Sequence, residues 1–256
     1  MDDSVVGCTL EFDVLEPSEI ALQIAVAGPS RETLQVTGAD GPIESVEVDR
    51  QHVVRAPAGP LTVTYQATVP PRTAVRPVTD LDRIVALRPS RYCPSDRLGG
   101  FAAGEFGTEP NVPTIAAWVF QRLFYQGGSS GPSTDAVDTM LSGAGVCRDY
   151  AHLVVTLCRA SSIPARVAAV YAPGLSPMDF HLVAEAVVDG RWTVWDATRL
   201  APRPTLIRIA TGRDAADTAL ASTLSGSVIL NQTEIFAIAG GDLPLDDHQS
   251  PVSLAH

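Results

Sequence analysis

Apolar and polar positions alternate in short runs over the first 70 or so residues. "CTLEFDVL", "IALQIAV", "TLQVTG", "PIESVEV" and "LTVTYQATV" are rich in β-branched residues and are separated by Gly, Pro, Asp and Ser. A period of two bounded by turn residues predicts strands, and no helical period interrupts them. Residues 1–75 therefore read as a small β-sandwich or barrel-like domain with a structural role. The proline-dense "PPRTAVRP" favours extended linker. Residues 76–110 form a poorly periodic connector with room for a short helix.

From Val112 the period changes. Val112, Ile115, Ala116, Val119, Phe120, Leu123 and Phe124 recur at helical spacing, and Pro113 suits a first helical turn. "GGSSGPS" is expected to end this helix. A second begins near Cys147, with Ala151, Val154, Val155 and Cys158 on one stripe, and "SSIPAR" stops it. The strands "ARVAAVY", "HLVAEAVV" and "RWTVWDAT" follow, then "TLIRIA" and "SVILNQTEIFAIA". Residues 111–240 thus predict an α+β core with C-terminal strands, and 241–256 an acidic tail expected to fray. No internal repeat is found.

Composition narrows the partners. The chain has 256 residues, 45% of them hydrophobic and 18% charged, which is ordinary for a soluble globular protein. A formal charge of −11 argues against nucleic acid and anionic membranes, which require a basic surface. The basic residues are all arginine. No run of about 18 apolar residues predicts a membrane span. "MDDSVVGCTLEF" lacks a basic start and a long apolar stretch, so no secretory signal is visible. Cys8, Cys93, Cys147 and Cys158 form no CxxC pair, so zinc-ligand spacing is absent. Free thiols in a reducing cytoplasm are the expectation.

One cysteine sits differently from the others. "SGAGVCRDY" places Cys147 after two glycines, at the predicted start of a helix. Unpaired N–H groups and the positive end of the helix dipole favour a thiolate there, and the backbone amide can face a developing oxyanion. Asp149, in the first turn, is most simply a residue that complements the dipole. A thiolate nucleophile needs a base, and the base needs an orienting carboxylate. "HLVAEAVVDGRWTVWDAT" offers both in one hairpin. With Asp189-Gly190 as a two-residue loop, Val188 faces Arg191 and Val183 faces Asp196. His181 then projects from the same face, diagonal to Asp196 and within side-chain reach. A slip of one residue would turn Asp196 to the other face. Standing alone, Asp196 before Ala-Thr reads as a turn opener. His152 lies on a different helix face from Cys147 and reads as structural; Cys158 belongs to the apolar stripe. Trp118, Tyr125 and Tyr150 are candidates to line a cleft, although aromatics at helical spacing more often belong to a core.

"GVCRDYAHLVVTLCRASSIPARVAAVY" followed by "DFHLVAEAVVDGRWTVWDAT" closely resembles the bacterial branch of the transglutaminase-like superfamily of cysteine acyl-transfer enzymes. "LRPSRYCPSDRL", "TDAVDTML" and "GRDAADTAL" extend the likeness from about Leu87 to Leu220, and an N-terminal β domain is typical of that branch. The resemblance implies a papain-like core, a helix bearing the cysteine packed on an antiparallel sheet. It also implies a nucleophile at Cys147, a base at His181 and an orienting carboxylate at Asp196. The chain departs from the family at Val183, where members commonly carry tryptophan.

Thiolate attack on an amide carbonyl needs no metal or organic cofactor. The thioester that forms passes either to water or to an amine. The expectation is amide or peptide hydrolysis on a peptide, protein or small amide, with protein-glutamine transglutaminase activity and a non-catalytic scaffold as alternatives. Without lysine, the protein cannot be its own lysine donor.

Overall fold

The computed structural model describes residues 3–71 and 77–254. Most of "PPRTAVRP", expected as linker, lies outside the described residues. In chain order the elements begin with strands β1 (Ser4–Leu22), β2 (Arg31–Gly38), β3 (Gly41–Pro42), β4 (Ser45–Val48), β5 (Gln51–Ala56) and β6 (Gly59–Val69). Helices α1 (Asp80–Val85), α2 (Gly99–Phe106) and α3 (Val112–Arg122) follow. Next come β7 (Phe124–Tyr125), α4 (Ala136–Ser142), β8 (Ala144–Gly145) and α5 (Cys147–Ala160). The chain ends with β9 (Ala165–Tyr171), β10 (His181–Val188), β11 (Arg191–Trp195), β12 (Ile207–Gly212) and β13 (Ala221–Ile238). These elements fall into two units.

The first unit takes the described part of Met1–Arg72 with Tyr171–Phe180 and Ala219–Leu243. Its sheet has the order β3-β2-β6-β1-β5-β4, with β13 antiparallel along β1. Two runs expected as separate strands merge in β1. Pro17 suggested a break, but it falls where β1 changes neighbour, from β6 at Ser4–Val14 to β5 at Ser18–Leu22. A missing N–H costs no ladder bond at such a point. Alternate residues Val6, Cys8, Leu10, Phe12 and Val14 are buried. "PIESVEV" divides into β3 and β4, and β5 is an additional strand. The loop joining β4 to β5 is Asp49-Arg50, both left-handed (φ 49° and 65°). Arg50 is held there by Glu32 and by the Val26 carbonyl at 2.8 Å.

The second unit is built around α5, which packs on the antiparallel sheet β11-β10-β9-β12 and against α3 and α4. Ala151, Val154, Val155 and Cys158 are buried as the stripe predicts, but every residue from Asp149 to Arg159 is buried. The helix is therefore central rather than half-exposed. The expected connector holds α1 and α2. Helix α3 buries Val112, Ile115, Ala116 and Val119, yet stops at Arg122, before "GGSSGPS". Phe120 and Phe124, expected on its apolar face, are exposed. For Phe124 the cause is that Phe124–Tyr125 leave the helix to pair with Ala144–Gly145, beside the start of α5.

Two C-terminal expectations need correction. β13, assigned to the 111–240 core, pairs with β1 in the first unit. The segment expected to fray is docked on the second unit: Asp246 receives Arg203 through bonds of 2.7 and 2.9 Å, Val252 bridges to Val194, and Leu254 is buried. Its acidic residues have a buried arginine to bind, so their charge anchors the segment. Among the described residues no helix is long and apolar enough to cross a membrane.

Candidate active site

The start of α5 is assembled without a capping side chain at Val146, the residue that precedes it. Asp149 reaches back instead, accepting the Val146 N–H at 2.8 Å and the Ser130 hydroxyl at 2.6 Å, with Arg148 beside it at 3.2 Å. Asp149 is thus a buried support of the helix start. Gly145 makes room for it, since a Cβ there would lie 2.6 Å from the Asp149 Cβ. The Val146 carbonyl takes the N–H groups of Asp149 and Tyr150. This arrangement presents Cys147 at the first helical position, half-buried.

The hairpin has the register that the sequence predicts. Asp189 and Gly190 are both left-handed (φ 49° and 73°), Val188 faces Arg191, and Ala184 faces Trp195. His181 and Asp196 therefore meet: His181 Nε2 lies 2.8 Å from Asp196 Oδ2, and both side chains are almost fully buried. The second carboxylate oxygen accepts the Thr198 N–H at 2.9 Å and its hydroxyl at 2.7 Å. With Nε2 committed to Asp196, Nδ1 remains for another partner, and Cys147 is the other side chain that helps to raise the ring's pKa. The structure thus pairs His181 with Asp196, and Cys147 bears on the same ring. Thr198 was not foreseen, although the Asp-Ala-Thr sequence carries the signal for a carboxylate bonded two residues ahead.

The electrostatics follow from burial and pairing. Burial alone would push the His181 pKa down, but the charge and hydrogen bond of Asp196, joined by Cys147, carry it up to about 10. Asp196 resists the rise that burial favours; His181 and Thr198 hold it below the usual carboxylate range. An imidazolium beside a sulfur and a carboxylate suits proton transfer to a leaving group. Burial pushes the thiol of Cys8 up to about 11, and those of Cys93 and Cys158 up to about 12. His152 differs from His181. Burial lowers it to about 4, its Nε2 accepts the Ala215 N–H at 3.1 Å, and its ring stacks on Tyr92 at 5.2 Å.

The cleft candidates separate. Tyr150 is buried and donates to the Leu123 carbonyl, and Trp118 packs between Phe101 and Phe106. Tyr125 is exposed, and its backbone pairs with Gly145, two residues before the sulfur. Val183, at the family's tryptophan position, is fully buried.

A helix bearing the cysteine, packed on an antiparallel sheet, is the papain-like fold, and comparison with known proteins agrees on that fold. The model of the transglutaminase-like superfamily matches residues 100–197. A candidate cysteine protease from Cytophaga hutchinsonii is 33% identical to this chain, with a TM-score of 0.84 over 98% of this chain and 93% of that one. An uncharacterised protein of Mycobacterium leprae (strain TN) is 27% identical over 158 residues. That alignment spans 56% of this chain and 55% of the relative, about half of each. The chain belongs to the transglutaminase-like superfamily. The family match and the Cytophaga structure support a cysteine-dependent enzyme in general.

Proposed function

We propose that the protein is a thiol-dependent amidase that cleaves an amide in a peptide, protein or small molecule. The observation that carries this reading is the His181–Asp196 contact at 2.8 Å, in a pair whose imidazole Cys147 also helps to charge. In the first half-reaction the Cys147 thiolate attacks the amide carbonyl. The oxyanion rests on the N–H groups at the start of α5. As the C–N bond breaks, His181 gives its proton to the nitrogen, and the amine leaves behind a thioester on Cys147. In the second, His181 takes a proton from water, hydroxide character adds to the thioester, and the acid departs as the sulfur is restored. Asp196 keeps the ring oriented throughout and balances its positive charge.

Amine transfer uses the same thioester with an amine in place of water, and the superfamily gives that reading its support. The two are distinguished by incubating the protein with glutamine-containing peptides, with and without a primary amine. The expected result is ammonia release that the amine does not increase, with the free acid as product and no activity in Cys147→Ala. An amide product would assign transfer. Equal ammonia from wild type and Cys147→Ala would remove the thiol from the chemistry and leave the scaffold reading.

A further inference from the structure

The last turn of α5 carries a buried arginine, Arg159, which is 4% exposed. Its Nε donates to the carbonyls of Ala86 and Ala165 at 3.1 and 2.9 Å. Its Nη1 donates to the Ser90 hydroxyl at 3.1 Å, and its Nη2 to the Arg213 carbonyl at 2.7 Å. None of these acceptors is charged. Asp214 acts on it through space, but spends its own oxygens on the N–H groups of Tyr92 and Ala216. A buried arginine is ordinarily held by an anion, as Arg203 is by Asp246 and Arg208 by Glu185. On Arg159 each Nη group also keeps one N–H without an acceptor among the described residues.

Arg159 belongs to the wall of a cavity of about 290 Å³ in the second unit, shared by α1, the end of α5, β9, β11 and β12. Arg166 joins it there. The Arg166 Nε holds Glu185 at 2.8 Å and its guanidinium lies 4.0 Å from the centre of the Trp192 ring. Its two Nη groups make no hydrogen bond among the described residues. Burial holds both guanidinium groups below the usual arginine range, which an anion in the cavity would reverse. The carboxylates on the same wall are already engaged. Asp82 accepts the Thr79 N–H and hydroxyl at 2.9 and 2.7 Å, and Asp217 takes Arg213 through both oxygens at 2.9 and 3.0 Å. Donors are therefore in surplus. Leu81 and Val85 of α1 add an apolar side, and Leu81, largely exposed, marks the open side.

We propose that this cavity binds a small organic anion, a carboxylate or phosphate monoester carried on a short apolar body. The head group bonds the Nη groups of Arg159 and Arg166, and the body lies along Leu81 and Val85. Guanidinium forks match carboxylate and phosphate oxygens, and such charge-assisted bonds are the strong kind. The volume stands at the lower end of ligand cavities, so the body is small. The negative end of α5 does not oppose the anion: its last carbonyls are taken by the N–H groups of Ser161, Ser162 and Ile163. The site is separate from the thiol. Arg159 and Cys147 stand at opposite ends of α5, roughly 18 Å apart at the helical rise.

NMR of the full chain tests this through the Nε–H signals of Arg159 and Arg166, during titration with benzoate and, separately, phenyl phosphate. Benzyl alcohol, neutral and of similar size, is the control. The expected result is a saturable shift of both signals with either anion and none with the alcohol. The anion that binds more tightly names the head group. Leu81→Glu puts a carboxylate at the open side of the cavity, on an exposed position that the fold tolerates. It is expected to raise the dissociation constant by roughly tenfold. Signals that neither anion moves, up to the solubility limit of each, overturn the proposal. So does an equal response to benzyl alcohol, or an affinity that Leu81→Glu leaves unchanged.

Discussion

Asp196 uses its two oxygens for different tasks. Oδ1 closes a local turn on Thr198, and Oδ2 holds His181. The sequence invited a choice between a turn opener and an orienting carboxylate, and one carboxylate has the valence for both. Asp196→Asn keeps the turn and loses the charge. Burial then dominates at His181, so its pKa is expected to fall below 6.5 rather than stand near 10. Turnover is expected to drop by roughly 10²–10⁴-fold. NMR titration of the His181 ring, beside initial-rate kinetics, checks both. Gly145→Ala makes a separate prediction. The new methyl group would meet the Asp149 Cβ at 2.6 Å, so stability is expected to fall by about 1–3 kcal/mol in urea unfolding.

At the scale of elements, two loops explain what could be read in advance. The hairpin of β10 and β11 was legible because Asp189-Gly190 is a two-residue turn with a glycine in the left-handed region, and that loop fixes the register and so the meeting of His181 with Asp196. The hairpin of β4 and β5 was not, because Asp49-Arg50 adopts similar angles without glycine and depends on contacts from Glu32 and Val26. Likewise, nothing local in Phe124–Tyr125 announces that they abandon a helical pattern for a distant partner at Ala144–Gly145. The start of α5 was legible as a position but not in its support, since Asp149 acts through the Val146 N–H, Ser130 and Arg148. Asp149→Ala is expected to destabilise the fold by about 1–3 kcal/mol, as it leaves a buried donor unpaired. Because the helix start also positions Cys147, turnover should fall as well. Urea unfolding and kinetics on the same variant check the pair of effects.

For the whole molecule, pairing of buried charge governs the response to pH. His181 is raised in the fold, so its contribution is complete below about 6.5 and is lost as pH rises through about 10. Asp196 is lowered, so its contribution is present above 3.8 and is lost as pH falls through its folded value. The gap in thermal midpoint between wild type and Asp196→Asn is therefore expected to narrow at both ends of a pH series. Glu185 offers a second check. It is buried between Arg166 and Arg208, and Glu185→Gln should cost about 3–5 kcal/mol by removing the buried anion that pairs with both. The docking of residues beyond β13 belongs to this scale too, since it rests on Arg203 meeting Asp246 across 43 positions of sequence, which no local pattern records.

The fold also sorts the four cysteines, burying Cys8, Cys93 and Cys158 and leaving Cys147 accessible beside an imidazolium. Competitive labelling of the native chain with iodoacetamide at neutral pH, mapped by mass spectrometry in wild type and His181→Ala, reads this directly. The account predicts that Cys147 is labelled first in wild type and slows markedly when His181 is removed. Labelling of Cys147 no faster than Cys158, or at a rate indifferent to His181, would contradict it.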